Sequence, residues 1–274
     1  MDNDKKITEI MNKNGVDLFG TASFGDCLPA NRRLYEECAD MKTVIVFAVP
    51  YRTKNVPDDG MRMSAYARVY DYHGYFRRLF DSLVNDFKAG FPACTFKGYA
   101  DHSPINERHA ASLCSLGVIG RNSLLITEKY GSYVFLGSII TDLVTETSHD
   151  APKSCMNCGK CVSACPGGAL RGGVFAAENC VSAISQKKVI NEDEEKIIAA
   201  NKAVWGCDVC QQVCPMNEGA LFTDNEYFTG SYLKNVSSET ISEMTDEEFA
   251  KYPFSWRKKE VILRNLRLAE ENEK

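Results

Sequence analysis

The run Cys155-Met156-Asn157-Cys158-Gly159-Lys160-Cys161-Val162-Ser163-Ala164-Cys165-Pro166 decides the fold of the second half of this 274-residue chain. Its spacing, C-x2-C-x2-C-x3-C-P, is typical of chains that hold a [4Fe–4S] cluster through cysteine thiolates. The fourth cysteine of such a run normally binds a second cluster. The run therefore predicts further thiolate ligands downstream.

The chain supplies these thiolates in a second run. Cys207, Cys210 and Cys214 are spaced C-x2-C-x3-C-P, and Cys180 lies upstream of them. Because the last cysteine of each run crosses to the other cluster, we expect two sets of four ligands. One set is Cys155, Cys158, Cys161 and Cys214, and the other is Cys165, Cys180, Cys207 and Cys210.

Two other interpretations of the cysteines stay open. A structural zinc site would use two C-x2-C pairs, but it requires neither the third close cysteine nor the two C-P ends. A single cluster would leave spare thiols. The remaining cysteines share no ligand spacing and are expected to be buried thiols. They are Cys27, Cys38, Cys94 and Cys114.

Composition narrows the class of protein. With 44% hydrophobic residues the chain can form a core without disulfides, and its formal net charge of −5 argues against a general nucleic-acid binder. The first residues lack the apolar segment of a signal peptide, and no apolar run is long enough to cross a membrane. We therefore expect a cytoplasmic protein without a membrane partner.

Hydrophobic patterns predict alternating strands and helices over the first 143 residues, which indicates an α+β chain whose first domain has α/β character. We expect the whole chain to divide into three domains, 1–150, 151–220 and 221–274, with residues 144–153 as a linker. The tail is expected to be polar with a basic amphipathic helix. The predicted strands are 41–50, 95–100, 123–127 and 133–140, the last two forming a hairpin, and the predicted helices are 64–87, 107–116, 192–204 and 256–268.

The segment from Tyr99 to His109 concentrates polar groups between a strand and a helix, where active sites often form. Asp101 is a candidate general acid there, and its alternative role is a turn or helix-capping carboxylate. His102 and His109 are candidate proton carriers, or ordinary surface histidines. The turn Gly117-Val118-Ile119-Gly120-Arg121-Asn122-Ser123 lacks the spacing of known phosphate-binding loops, so no nucleotide site is predicted.

An ordered set of motifs resembles the epoxyqueuosine reductases. The motifs occur over residues 40–215, and a weaker likeness extends over 247–267. They are Tyr66-Ala67-Arg68, Asp71-Tyr72-His73, Asp101-x-x-Pro104 with Glu107, Gly117-x-x-Gly120-Arg121-Asn122-Ser123, Gly131-Ser132 with Phe135-Leu136-Gly137, and the two cysteine runs.

The resemblance implies an oxidoreductase with two [4Fe–4S] clusters and cobalamin, similar in plan to reductive dehalogenases. It implies an N-terminal corrinoid-binding-like domain, a ferredoxin-like two-cluster module and a short helical tail. Its expected reaction is the reduction of epoxyqueuosine to queuosine in tRNA, with Asp101 as the proton donor. The implied cobalamin contacts are Tyr66, Arg68, Asn122, Ser123, Ser182 and Asp208.

The chain departs from the family pattern in three places. The segment from Cys27 to Met41 is short, His102 replaces a small residue, and the expected C-terminal helical-repeat domain is represented only by its first helix. Basic residues of that helix are candidates for contacts with tRNA phosphates, or form a solvated face. They are Arg257, Lys258, Lys259, Arg264 and Arg267.

The expected partners are tRNA and an external electron donor such as ferredoxin, flavodoxin or a flavoprotein. Two alternative functions stay open. One is a reductase of a small organic molecule with the same cofactors. The other is a two-cluster electron-transfer protein without a corrinoid.

Overall fold

The computed structural model describes residues 3–57, 59–147 and 154–271. Residues 148–153 of the predicted linker lie outside these ranges. The strands are β1 Phe19–Ser23, β2 Thr43–Pro50, β3 Arg62–Met63, β4 Phe96–Tyr99, β5 Val118–Ile119, β6 Leu125–Ile126, β7 Val134–Thr141 and β8 Ala203–Trp205. The helices are α1 Asn3–Lys13, α2 Arg32–Glu36, α3 Tyr72–Gly90, α4 Glu107–Leu113, α5 Lys160–Ala164, α6 Val181–Ser185, α7 Glu192–Ala200, α8 Val209–Gln212, α9 Glu226–Thr229, α10 Ser238–Glu243, α11 Asp246–Phe249 and α12 Lys259–Glu271.

These elements form two compact units, and the predicted α+β class is confirmed. The first unit comprises Met1–Pro50, Tyr72–Gly120 and Leu124–Met156, and the second comprises Tyr51–Asp71, Arg121–Ser123 and Asn157–Lys274. The three-part division of the chain at residues 150 and 220 stays a prediction. No helix in the described part of the chain is long and apolar enough to span a membrane.

A four-stranded antiparallel sheet in the order β1-β2-β7-β4 organises the first unit. The predicted strand at residues 41–50 corresponds to its second strand, Thr43–Pro50, which is apolar from Val44 onward because both faces are covered. On one face Val44, Val46 and Ala48 join a core with Ala110 and Ala111 of α4. Side chains alternate between faces along a strand, so the residues between them point to the opposite side.

Helix α3 covers that opposite face. Its buried side chains recur at helical spacing, and the Phe76 ring lies 5.9 Å from that of Phe47 while Phe87 stacks on Phe96 at 5.0 Å. Gly137 in β7 faces these rings, and a Cβ there would come within 2.5 Å of both Phe47 and Phe76. Glycine at this point therefore lets the aromatic side chains reach the sheet.

Two local predictions in this half of the chain are wrong. The single helix predicted over 64–87 is instead a 3-10 turn at Ala65–Arg68 and helix α3 from Tyr72. The break occurs because the amide of Tyr70 donates to Ser231 Oγ and that of Asp71 to the Lys251 carbonyl, so neither completes a helical bond.

The predicted hairpin of residues 123–127 and 133–140 is also wrong. Strand β6 pairs with β5, whereas β7 pairs with β2 and β4. Only an isolated bridge between Thr127 and Gly131 closes the turn. Hydrophobic alternation located the strands but did not specify their partners.

The second unit is built around α12, which was expected to lie in a polar tail. Residues after 230 instead contribute a large part of a core with Trp205 at its centre. Asn265 on α12 is fully buried, and its Nδ2 donates to the carbonyls of Ser185 and Val204 at 2.7 and 2.9 Å. The predicted helix at 192–204 ends at Ala200, because residues 203–205 form β8 parallel to β3.

Candidate functional site

Asp101 lies at the tip of a loop whose two ends are both anchored. Strand β4 precedes it, and after it Pro29 and Ile105 form a β-bridge while the Ala30 amide donates to the Pro104 carbonyl at 2.9 Å. Asp101 adopts a φ of +59°, a left-handed conformation that aspartate tolerates better than most residues. This turn presents its carboxyl outward, and the side chain is 59% exposed.

Helix α3 brings two proton-bearing side chains to the Asp101 carboxyl. The Tyr72 hydroxyl donates to Oδ2, and His73 Nε2 lies 3.3 Å from the same oxygen. The Tyr72 ring stacks on Phe135 at 4.1 Å and on the His73 ring at 4.3 Å. The phenol and the imidazole are therefore held in place by their neighbours as well as by the aspartate.

Glu107 contacts the other side of the same residue. Its Oε2 accepts the Asp101 amide at 3.2 Å, and its Oε1 is buried without a hydrogen-bond partner among the described residues. Burial, and then the charge of Asp101, raises the pKa of the Glu107 carboxyl to about 8. Glu107 is therefore mostly protonated near neutral pH.

Sequence reasoning selected Asp101 in this group but assigned no chemistry to Tyr72, His73 or Glu107. Asp71-Tyr72-His73 was noted as a family motif, and nothing in the local sequence places His73 beside Asp101, which lies 28 positions later. His109 Nδ1 accepts the Leu28 amide at 3.4 Å, which is a structural contact. The roles of Asp101 and His102 in catalysis stay predictions.

The predicted ligands of one cluster lie close together in the second unit. Burial raises the pKa of the Cys210 thiol to about 12, with further contributions from nearby Cys207, Asp208, Cys180 and Cys165. These four cysteines are the predicted set for one cube. The described residues contain no group of three or more His, Cys, Asp or Glu arranged around a single metal ion. The ligands of a cube are spread more widely, because each of its four irons takes one thiolate.

Three of the four predicted ligands of the other cluster belong to the second unit. Cys158, Cys161 and Cys214 belong to that unit, and Cys155 precedes it. Cys158 is exposed, whereas Cys161 in α5 and Cys214 after α8 are half-buried. Both ligand assignments stay predictions.

The four other cysteines lie in the first unit. Cys27, Cys38 and Cys114 are buried as predicted, and Cys94 is partly exposed. Burial raises the pKa of Cys27 and Cys114 to about 12, so these two thiols are poor nucleophiles.

Asp208, next to Cys207, is one of the predicted cobalamin contacts and is almost fully buried. Its Oδ1 accepts Ser64 Oγ at 2.6 Å and Gln211 Nε2 at 2.8 Å, and its Oδ2 accepts the Ala65 amide at 2.7 Å. Burial raises the pKa of this carboxyl, although the three donors oppose that effect. The side chain thus ties the 3-10 turn at Ala65–Arg68 to the start of α8.

Arg68, a second predicted cobalamin contact, is 1% exposed. Its guanidinium forms two hydrogen bonds with Asp59, at 2.8 and 3.0 Å, and donates to the carbonyls of Met61 and Leu233. Arg68 and Asp208 are therefore bonded mainly within the protein, although Arg68 Nε is buried without a hydrogen-bond partner among the described residues. Their contacts with a corrinoid stay predictions.

The other four predicted cobalamin contacts also belong to the second unit. Tyr66 accepts Trp205 Nε1 at 3.2 Å, and the Asn122 amide donates to the Cys210 carbonyl at 3.5 Å. Ser123 has a φ of +63°, and Ser182 Oγ accepts Gln186 Nε2 at 3.4 Å. Tyr66 and Asn122 thus lie next to the second cysteine run, and all four cofactor contacts stay predictions.

The basic residues predicted to meet phosphate divide into two groups. Arg257 donates to the Gln186 carbonyl, Arg264 to those of Lys187 and Lys188, and Lys259 to that of Met244. These three join α12 to neighbouring segments by satisfying their carbonyl groups. Lys258 and Arg267 are exposed.

Comparisons with known proteins agree with the motifs. The protein-family model described as "Epoxyqueuosine reductase QueG, DUF1730" matches residues 32–102, and the family model described as "4Fe-4S double cluster binding domain" matches residues 154–217. An epoxyqueuosine reductase from Gloeobacter violaceus is 32% identical over 82% of this chain and 73% of its own length. One from Bacillus subtilis is 32% identical over 82% of this chain, which spans 61% of that protein.

A solved structure shows the same fold. It is described as a crystal structure of epoxyqueuosine reductase with an epoxyqueuosine-modified tRNA-Tyr stem loop. It superposes with a TM-score of 0.82 at 25% identity and covers 97% of this chain and 80% of its own. Identity above 30% across most of both chains carries the assignment made from the motifs: this chain belongs to the epoxyqueuosine reductase family.

Proposed function

We propose that this chain reduces the epoxide of epoxyqueuosine in tRNA to the alkene of queuosine. The observation that carries the proposal is the Asp101 carboxyl, exposed on an anchored loop and contacted by Tyr72 and His73. Opening an epoxide places negative charge on oxygen, and a positioned acid supplies a proton to it. Asp101 is the residue that takes this role.

The electrons reach the substrate through two [4Fe–4S] clusters. The proximity of Cys165, Cys180, Cys207 and Cys210 supports the predicted ligand set of one of them. An external one-electron donor, such as a ferredoxin, a flavodoxin or a flavoprotein, reduces the clusters. The thiolate ligands fit a reducing compartment.

The cluster assignment has its own test. Replacing Cys180, a proposed ligand, by serine should lower iron and acid-labile sulfide from about eight to about four atoms of each per chain, because one cube loses a ligand. Cys38→Ser is the control, since Cys38 is a buried thiol outside the ligand sets. Equal iron contents in the two variants would reject the assignment.

A corrinoid is the cofactor that the family implies for the second unit, and Tyr66, Asn122, Ser123 and Ser182 are the residues we propose to line it. Arg68 and Asp208 would support these residues, since most of their hydrogen-bonding atoms are already engaged within the protein. When bound, the cobalt centre supplies the strongly reducing two-electron chemistry that epoxide removal requires. Addition of cobalamin to the anaerobic protein should shift the corrinoid absorbance, and no binding at micromolar concentrations would reject the cofactor.

The tRNA substrate rests on the family and on the solved structure that holds a modified stem loop. We propose that two exposed basic residues contact tRNA phosphates: Lys258, just before α12, and Arg267, within it. Replacing both by alanine should weaken tRNA binding and reduce its salt dependence. Lys5→Ala on α1, also exposed, is the control.

The test of function is conversion of defined tRNA. Anaerobic protein with reconstituted clusters, cobalamin and a chemical reductant is incubated with epoxyqueuosine tRNA, and the nucleosides are separated by mass after digestion. Queuosine should appear in proportion to enzyme and time. Absence of queuosine with both cofactors bound would reject the function, and turnover of free epoxyqueuosine alone would place the substrate among small molecules.

A further inference from the structure

Two groups that can carry a proton meet at one carboxylate oxygen of Asp101 in the first unit. The Tyr72 hydroxyl donates to Asp101 Oδ2, and His73 Nε2 lies 3.3 Å from the same atom. The imidazole is 53% exposed, so solvent reaches it as well. This arrangement provides a path for a proton from water to Asp101.

The stoichiometry of the proposed reaction requires such a path. Converting an epoxide to an alkene breaks two C–O bonds and releases the oxygen as water, which consumes two electrons and two protons. The electrons come from the external donor through the reduced clusters. The first proton converts the opened oxygen to a hydroxyl, and the second lets that hydroxyl leave as water. One protonated carboxyl supplies only one of the two.

We propose that His73 supplies the second proton by reprotonating Asp101 across the Nε2–Oδ2 contact, an inference that rests on the proposed function. His73 acts through Asp101 and is thus a positioning and relay residue. Imidazole gains and loses protons near neutral pH, whereas a phenol such as Tyr72 ordinarily keeps its proton there. The Tyr72 ring, stacked between Phe135 and His73, keeps the imidazole beside the carboxyl.

His102 is the competing candidate because it follows Asp101 directly in the chain. Its side chain is exposed, and within the described part of the chain its imidazole forms no hydrogen bond or ion pair. His109 is directed to the Leu28 amide. The geometry therefore distinguishes His73 from both neighbouring histidines.

The kinetic test uses three variants in the tRNA conversion assay. His73→Gln should lower kcat by about tenfold or more and change KM by less than about twofold, because it removes a proton carrier and leaves substrate binding intact. His73→Ala should recover activity when imidazole is added to the buffer. His102→Gln should keep the wild-type kcat and show no effect of imidazole.

A second measurement does not depend on turnover. In the substrate-free and cobalamin-free protein, the imidazole 15N resonances of His73, assigned with His73→Gln, should shift when Asp101 is replaced by Asn. Unchanged resonances would mean that the contact is absent and would overturn the proposal.

The outcomes separate the relay from the function beneath it. Wild-type turnover combined with a wild-type kcat in His73→Gln would overturn the relay alone. A loss in His73→Gln that appears mainly in KM, with no imidazole rescue of His73→Ala, would also overturn it and assign His73 to binding. Absence of turnover in the wild-type protein would reject the proposed function and this role with it.

Discussion

Asp101 and Asp208 are two aspartates in opposite surroundings. Asp101 is more than half exposed, adopts a left-handed backbone, and contacts the phenol of Tyr72 and the imidazole of His73. Asp208 is almost fully buried, and neutral donors from Ser64, Ala65 and Gln211 satisfy it. A carboxyl surrounded by proton carriers suits chemistry, whereas one saturated by fixed neutral donors stabilises structure.

The largest expected effect of this difference is on catalysis. Asp101→Asn should lower kcat by about 10²–10⁴-fold, because the amide occupies the same space but cannot deliver a proton. Its free energy of unfolding should change by less than about 0.5 kcal/mol, since the side chain is exposed. Single-turnover conversion of tRNA and urea unfolding measure the two quantities.

Asp81→Asn is the matched control for this prediction, because Asp81 is an exposed aspartate on α3, the helix that carries Tyr72. It should change neither quantity. If Asp101→Asn kept the wild-type kcat, Asp101 would not be the proton donor, and its difference from Asp208 would have no functional meaning.

The second effect is on stability. Asp208→Ala should lower the free energy of unfolding by about 2–4 kcal/mol, because it leaves several buried donors without an acceptor. The cluster assigned to the adjacent Cys207 should also be lost more readily, which iron content would detect. Asp224→Ala, at an exposed position of the same unit, is the control. A stable Asp208→Ala protein with full iron content would contradict the structural role.

The same comparison explains what the sequence could predict. Cysteine spacing identified the cluster module, and the run at 41–50 identified the buried strand, because both signals are local. Asp101 was singled out by its polar neighbours and by a family motif. Tyr72 and His73 were noted in a family motif but not assigned to this site, since only the packing of α3 on the sheet brings them to Asp101.

Arg68 and Asp208 show the opposite limit of sequence reasoning. Their motifs predicted contacts with a cofactor, and the structure shows both engaged in internal bonds that join distant segments. Nothing in the sequence around Arg68 reveals that Asp59 and the carbonyl of Leu233 surround its guanidinium. Likewise, the hairpin prediction failed because strand partners depend on the whole sheet.

The smallest effect concerns Glu107, which is intermediate between the two aspartates because it is buried yet contacts the exposed acid. Burial, and then Asp101, raises the pKa of its carboxyl to about 8, so between its ordinary value and 8 the folded protein holds a proton that the unfolded chain has released. The stability that it contributes is therefore complete below the unfolded pKa and falls as pH rises through this window, by at most about 1.4 kcal/mol per pH unit.

Glu107→Gln removes that dependence, because glutamine cannot ionise, and it keeps a carbonyl oxygen to accept the Asp101 amide. Urea unfolding at pH 5, 6, 7 and 8 should show the stability advantage of the wild type over Glu107→Gln declining steadily as pH rises. The exposed control Glu243→Gln should differ from the wild type by a constant amount over the same range. If the wild type and Glu107→Gln ran parallel instead, Glu107 would already be ionised beside Asp101. The Asp101 loop would then carry two negative charges near neutral pH, which disfavours the release of a proton from the loop and favours its uptake.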